Sequence, residues 1–174
     1  PVARMARVEA VGGGIDVAHD TFLHARFGVA AMCLGGIKRA MQLSGRYAGR
    51  RKVASGRLSE HPATRARFAR MAAAASALDS YLSLMAAAMD DGTLNGEDAY
   101  IVCKTAAPEL LWESADSAMQ LLGGRGYIEV NPTAQLLRDA RLLRIFEGPT
   151  EPLLVHLGAR AQREPEGQRR LIGE

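Results

Sequence analysis

Residues 15–50 read IDVAHDTFLHARFGVAAMCLGGIKRAMQLSGRYAGR and contain no proline. Apolar side chains recur in this stretch at steps of three and four residues, at positions that include Val29, Cys33, Ile37 and Met41. Such a period is typical of one face of an α-helix. The stretch therefore predicts a single long helix from residue 15 to residue 50.

Four further helices are predicted after this one. Their expected bounds are 61–89, 96–122, 132–141 and 150–160. Pro62 suits the first turn of the second helix, Asn95 is a suitable N-cap for the third, and Pro108 is expected to kink that helix. The fold class is therefore all-α: an up-down helical bundle of three long helices, with the shorter C-terminal helices packed across it.

The composition of the whole chain agrees with this fold. Of its 174 residues, 48% are hydrophobic and 5% are aromatic, which favours packed helices over strands. The bundle is predicted to occupy residues 14–163. Residues 1–13 are interpreted as a flexible lead from a preceding domain, and residues 164–174 as a charged tail.

Charge and pattern argue against several classes of function. The 22 basic residues are balanced by 19 acidic ones, and the basic cluster at 46–57 holds one aromatic residue, Tyr47, so nucleic-acid binding is not expected. Neither a membrane-spanning apolar run nor a signal-peptide core is recognised, and the four histidines lack metal-ligand spacing.

Cys33 and Cys103 lie in apolar stretches and are predicted to be buried, reduced thiols. A cytoplasmic protein without a metal is expected.

Two stretches could carry chemistry. The sequence GGRG at 123–126 follows an apolar helix, so its glycines either end that helix with a positive φ or allow a ligand to approach the backbone closely. Glu147 stands between Phe146 and Gly148 at a helix break. A carboxylate that apolar groups shield from water becomes a stronger base, as the removal of a proton from carbon requires. A surface or ion-paired glutamate is the other interpretation.

Five motifs, taken in order, resemble the C-terminal helical domain of the acyl-CoA dehydrogenase family. They are GIDVA at 14–18, RFGVAA at 26–31, YAGRR at 47–51, MQLLGGRGY at 119–127 and RDARLLRIFEG at 138–148. The resemblance extends over residues 12–160, and the last motif is the most specific to the family.

The resemblance implies α,β-dehydrogenation of an acyl thioester with FAD as the cofactor. Glu147 stands where many members carry the base that takes the α-proton, while the β-hydrogen leaves as hydride to the flavin. The backbone N–H at this position and a flavin hydroxyl polarise the thioester carbonyl in the family. Other members carry the base one residue before Arg26, where this chain has Ala25. By the same resemblance Arg26, Phe146 and Gly148 border the substrate; the other interpretation of Arg26 is an ion pair on the helix surface.

Five positions match residues that contact FAD in the family. They are Arg51, Gln120, Gly123, Gly124 and Thr150. In the family, the arginine reaches the pyrophosphate of a cofactor held by a neighbouring subunit, and the glutamine and glycines touch the same cofactor. The chain departs from the family pattern at Ala54-Ser55, in place of Phe-Gly, and at Pro149, Pro152 and Leu153. Leu153 stands where the family often has a glutamine that contacts the cofactor, so part of the family's FAD contacts are not expected in this chain.

The resemblance also implies partners. They are an acyl-CoA or other acyl thioester, electron-transfer flavoprotein as the electron acceptor, and a second copy of the chain in a homo-oligomer, either dimer or tetramer. The family's N-terminal and middle domains are absent from this sequence, which is expected to be part of a longer enzyme of fatty acid metabolism or half of a split one, and inactive alone. The alternative function is a non-catalytic helical oligomerisation or assembly module of a divergent or split family member.

Overall fold

The computed structural model of the protein describes residues 13–94 and 96–163, which are almost entirely helical. The helices are α1 (Gly14–Arg50), α2 (Pro62–Asp90), α3 (Asp98–Leu122), α4 (Gly124–Tyr127), α5 (Pro132–Leu143) and α6 (Thr150–Arg163). The all-α prediction is confirmed. The bounds of the five predicted helices agree with those observed to within three residues.

Three short elements were not predicted. Besides α4, they are a two-stranded antiparallel hairpin, β1 (Lys52–Val53) and β2 (Gly56–Arg57), and a 3-10 turn at Leu58–Glu60. Gly56 has a φ of 125°, and the Arg57 N–H donates a hydrogen bond to the Glu60 carboxylate at 2.9 Å. The proposed N-cap Asn95 lies outside the described residues, as do the proposed lead, apart from Gly13, and the proposed tail.

The three long helices run up, down and up. Contacts pair residues 26 and 36 of α1 with residues 103 and 111 of α3, so these two helices are parallel. Residues 38 and 45 of α1 pair with residues 79 and 68 of α2, which is therefore antiparallel to α1. Helix α5 returns along α3, from Thr133 beside Gly126 to Leu143 beside Lys104.

The main core lies between α1, α2 and α3. Its buried residues are Val29, Ala30, Cys33, Ile37, Leu78, Leu82, Met85, Tyr100, Cys103, Ala107, Leu111, Ala115 and Ala140. Both cysteines are free and fully buried, as predicted. Burial raises the pKa of the Cys33 and Cys103 thiols to about 12, because a thiolate loses its hydration inside the core.

Helix α2 is the one helix in the described part of the chain that is long and apolar enough to cross a membrane, by length and composition. Its inner face, with Met71, Leu78, Leu82 and Met85, is buried in the bundle. Only 28% of the most apolar 18-residue stretch of α2 is buried, however. Leu84, on the outer face of the helix, is 71% exposed. Helix α2 therefore offers an apolar, alanine-rich face on the outside of the bundle.

Candidate active site

The loop between α5 and α6 carries the predicted base. In this loop Glu147 and Gly148 have φ values of 57° and 96°. Within residues 13–94 and 96–163, Glu147 is the only non-glycine residue with a positive φ. This left-handed backbone costs a residue with a β-carbon about 1–2 kcal/mol. Contacts from the rest of the fold must therefore hold the loop in this shape.

The Glu147 carboxylate lies at the edge of the core. Its side chain is half-buried, and its Oε2 atom is buried without a hydrogen-bond partner among the described residues. The neighbouring Phe146 ring packs against the main core. The backbone N–H of Glu147 also has no hydrogen-bond acceptor among the described residues. Since buried polar atoms are nearly always paired, an orphaned carboxylate oxygen indicates a place for a polar ligand or a transferred proton.

Lys104 supports this loop from inside α3. The side chain is fully buried, and its Nζ donates hydrogen bonds to the carbonyl oxygens of Leu143, at 2.9 Å, and Gly148, at 3.1 Å. Burial lowers the pKa of Lys104, an effect that the Glu147 carboxylate partly opposes. Lys104 is not among the site residues predicted from the sequence. The available signal was a single charge inside the otherwise uncharged stretch YIVCKTAAP at 100–108.

Glu109, one and a half turns further along α3, fixes the two ends of the loop. Its Oε1 atom accepts hydrogen bonds from Arg144 Nε, at 2.7 Å, and from Thr150 Oγ1, at 3.4 Å. The Arg144 guanidinium also lies over the Trp112 ring, 5.5 Å from its centroid. Thr150, a predicted FAD contact, is thus buried and engaged within the chain.

Arg26 takes part in an ion cluster centred on Glu97. Its Nη1 lies 3.8 Å from Glu97 Oε2, which corresponds to the ion-pair interpretation, while its Nε is buried without a partner among the residues described. His156 and Arg160 of α6 each lie 2.8 Å from Glu97 Oε1, and His19 lies 3.7 Å from Oε2. The cluster ties α1 and α6 to the start of α3.

Two opposing effects act on the Glu97 carboxyl. Burial raises its pKa, but hydrogen bonds from His156 and Arg160 favour the ionised form more strongly, and the pKa lies below its ordinary value. His19 and His156, which lack metal-ligand spacing along the chain, therefore meet at one carboxylate. Groups of three His, Cys, Asp or Glu residues that could hold a metal ion are not found in the described part of the chain.

Four predicted cofactor residues lie at the other end of the bundle. Arg51 follows α1, Gln120 is in the last turn of α3, and Gly123 and Gly124 follow it; all four are exposed. Gly123 is nineteen residues beyond Lys104, or about 29 Å along the helix. A single copy of the chain therefore does not bring these residues to the Glu147 loop.

The two glycines differ in their backbone. Gly123 ends α3 with a φ of 60°, and its N–H donates to the Met119 and Gln120 carbonyls at 3.0 and 3.2 Å, as in the helix-ending interpretation. A β-carbon added at Gly123 or Gly124 would meet nothing within 4 Å. Both positions thus face open space that a ligand could enter.

Leu153, one of the departures from the family pattern, is buried against the loop. A β-carbon at Gly148 would lie 3.1–3.2 Å from the Leu153 side chain. The Leu153 side chain thus packs against the backbone of Gly148.

Comparisons with known proteins agree with this architecture. Residues 12–162 match the family described as acyl-CoA dehydrogenase, C-terminal domain. The mitochondrial very long-chain specific acyl-CoA dehydrogenase of Bos taurus is 29% identical over 143 residues, which are 82% of this chain and 22% of that protein. The mitochondrial short-chain specific acyl-CoA dehydrogenase of Bos taurus is 32% identical over 142 residues, 80% of this chain and 34% of that protein.

A solved structure shows the same fold. Butyryl-CoA dehydrogenase from Megasphaera elsdenii superimposes with a TM-score of 0.81 at 26% identity, over 87% of this chain and 39% of that one. The chain spans less than half the length of each of these proteins. The chain belongs to the acyl-CoA dehydrogenase family and carries its C-terminal helical domain.

Proposed function

We propose that this chain is the base-carrying part of an FAD-dependent acyl-CoA dehydrogenase that oxidises the α,β bond of an acyl thioester. The observation that supports this most is the environment of Glu147. Its Oε2 atom is buried and unpartnered beside Phe146, in a left-handed loop that α3 holds in place. A surface glutamate would need none of these supports.

The reaction requires a base and a means of stabilising negative charge. The α-proton of a thioester is weakly acidic, and charge develops on the carbonyl oxygen as the proton leaves. Glu147 accepts the proton on its carboxylate, and its N–H, which lacks an acceptor in the described structure, donates to the carbonyl oxygen. Phe146 and Leu153 limit access of water to the loop. A bound FAD would supply the acceptor for the β-hydrogen, which leaves as hydride and takes two electrons from the substrate.

The residues at the far end of the bundle fit an FAD pyrophosphate. Arg51 is an exposed cation at the same end as Gly123 and Gly124, whose backbone faces open space. Gly123 lies about 29 Å along α3 from Lys104, which supports the Glu147 loop. Arg51, Gly123 and Gly124 therefore contact the cofactor bound by a neighbouring copy in a homo-oligomer. Electron-transfer flavoprotein is the proposed acceptor of the electrons, and the cytoplasm the proposed location.

The test is Glu147→Gln in the complete, flavin-loaded enzyme. The amide retains the size of the side chain but cannot take a proton, so flavin reduction by acyl-CoA should slow by about 10²–10⁴-fold while the flavin absorbance persists. Glu151→Gln is the matched control, because Glu151 is exposed at the start of α6. Unchanged flavin reduction in Glu147→Gln would remove this residue from the mechanism.

A second candidate function is favoured by the open face of α2. Its alanine-rich outer surface, with Leu84 exposed, suits packing against another helix. On this hypothesis the chain is an assembly module without chemistry of its own. Sedimentation together with flavin absorbance distinguishes the two: oligomers that never bind FAD favour the module, and oligomers with FAD favour the enzyme.

A further inference from the structure

We propose that Lys104 is a positioning residue for the base: its ammonium clamps the loop on both sides of Glu147 and keeps the carboxylate aimed at the substrate. This inference rests on the proposed role of Glu147 and adds a residue that does not itself touch the substrate.

The position of Lys104 is unusual for a lysine. Its side chain is fully buried, among the core residues of α3. Burying an ammonium group is costly unless charged or polar groups compensate it. The compensation here comes from two carbonyl oxygens, one at the end of α5 and one in the Glu147 loop, and from the nearby Glu147 carboxylate. Both hydrogen bonds of the buried ammonium thus go to the segment 143–148, which contains Glu147.

The two carbonyls lie on either side of Glu147. Leu143 is the last residue of α5, where helical carbonyls lack intrahelical donors, and Gly148 follows Glu147 directly. Without the ammonium, both oxygens would lose their donor, and only the packing of Phe146 and Leu153 would oppose relaxation of Glu147 to a negative φ. Lys104 therefore selects the loop shape in which the Glu147 backbone is left-handed.

The rest of the loop is attached independently. Glu109 holds Arg144 and Thr150 at the two ends. Removing the lysine should therefore release the middle of the loop without detaching α5 or α6. This separation makes a local effect on Glu147 distinguishable from general unfolding.

The experiment compares Lys104→Met with Lys38→Met in the complete, flavin-loaded enzyme. Methionine keeps the apolar stem of Lys104 and removes the charge and the donors. Lys38 is exposed and pairs with Asp79 on the surface, so it provides the same chemical change away from the loop. Lys104→Gln, which keeps two N–H donors on a shorter neutral side chain, is the second variant and covers the case in which Lys104→Met does not fold.

Two quantities are measured for each variant. Hydrogen exchange with mass spectrometry reports protection of the amides at 144–148, with those of α3 as the internal standard for folding. Stopped-flow absorbance gives the limiting rate of flavin reduction per bound FAD and the half-saturating acyl-CoA concentration. A residue with a purely structural role would reduce the amount of folded, flavin-loaded enzyme but not the limiting rate per bound flavin.

For Lys104→Met we expect at least tenfold faster exchange at 144–148 and a limiting rate at least tenfold lower, with the half-saturating concentration within threefold of the native value. Lys38→Met should match the native enzyme in both measurements. Faster exchange with an unchanged limiting rate would overturn the positioning role, as would unchanged exchange. If Glu147→Gln also leaves flavin reduction unchanged, the proposed function itself has failed, whatever the loop of Lys104→Met does.

Discussion

Leu111 packs directly onto the backbone of Gly36, with its Cδ1 atom 2.6 Å from the place that a β-carbon on Gly36 would occupy. Leu111 is 2% exposed and is enclosed by the main core, so it has little room to move aside. The contact lies where α1 and α3 run side by side. The separation of these two helices is therefore set by the absence of a side chain at residue 36.

Gly36→Ala should destabilise the fold by about 1–3 kcal/mol, because overpacking of the core outweighs the gain in helix propensity. Gly35→Ala is the matched control: Gly35 is exposed on the same helix, and a β-carbon there meets nothing within 4 Å. The free energy of unfolding of Gly35→Ala should rise by roughly 0.5–1 kcal/mol. Urea unfolding measures both, and an equal gain in the two variants would contradict the close packing described.

Glu97→Gln should lower stability in a pH-dependent way. Because the pKa of Glu97 is lowered in the folded protein, its ionised form contributes stability above the ordinary value of 4.5, and this contribution is lost as the pH falls through the folded pKa. The difference in melting temperature between the native protein and the variant should be largest near neutral pH and vanish in acid.

Glu113→Gln provides the control for that experiment, since Glu113 is exposed on α3 and its replacement should change the melting temperature little. If the difference in melting temperature between the native protein and Glu97→Gln stays constant from neutral to acidic pH, the charge of Glu97 in the cluster with His156 and Arg160 does not contribute to stability.

Cys33 and Cys103 should be unreactive in the native protein. Both side chains are fully buried, and with a pKa of about 12 roughly one thiol in ten thousand is ionised at about pH 8. A thiol reagent such as DTNB should therefore modify both cysteines in denaturant, and in native buffer only at the rate of unfolding. Prompt modification of either thiol in native buffer would contradict its burial.

Gly124→Ala separates the two interpretations of the glycine pair. A β-carbon at Gly124 meets nothing within 4 Å, and the residue begins α4, so the unfolding free energy should change by less than about 1 kcal/mol. If FAD approaches the Gly124 backbone closely, the added methyl group should cause a large loss of FAD affinity in Gly124→Ala. Flavin fluorescence titration of the enzyme measures this affinity. Unchanged FAD affinity would contradict close approach of the cofactor to the Gly124 backbone.

The long helices were predictable because their signals are local. The apolar period of residues 15–50 and the turn residues around Pro62 are readable from neighbours along the chain, and the observed α1 and α2 begin within one residue of the predicted positions. The hairpin at Lys52–Arg57 was not predictable in this way, since two-residue strands carry almost no periodic signal.

The candidate site was only partly predictable for a related reason. Glu147 was identified from its own motif, but the partners that justify burying Lys104 lie 39 and 44 residues later in the chain. Likewise, Glu109 acquires its role only when Arg144 and Thr150 reach it across the fold. Composition and spacing do not reveal such distant pairings.

The distance between the Glu147 loop and Gly123 along α3 has a genetic consequence. On the proposed function, the base of one copy and the cofactor residues of another complete a single active site, so defects in the two regions are separable. A Glu147→Gln copy and an Arg51→Ala copy, each inactive alone, should complement each other when co-expressed. In a mixed dimer one of the two sites would be built entirely from native residues, and random pairing would restore roughly a quarter of the normal activity.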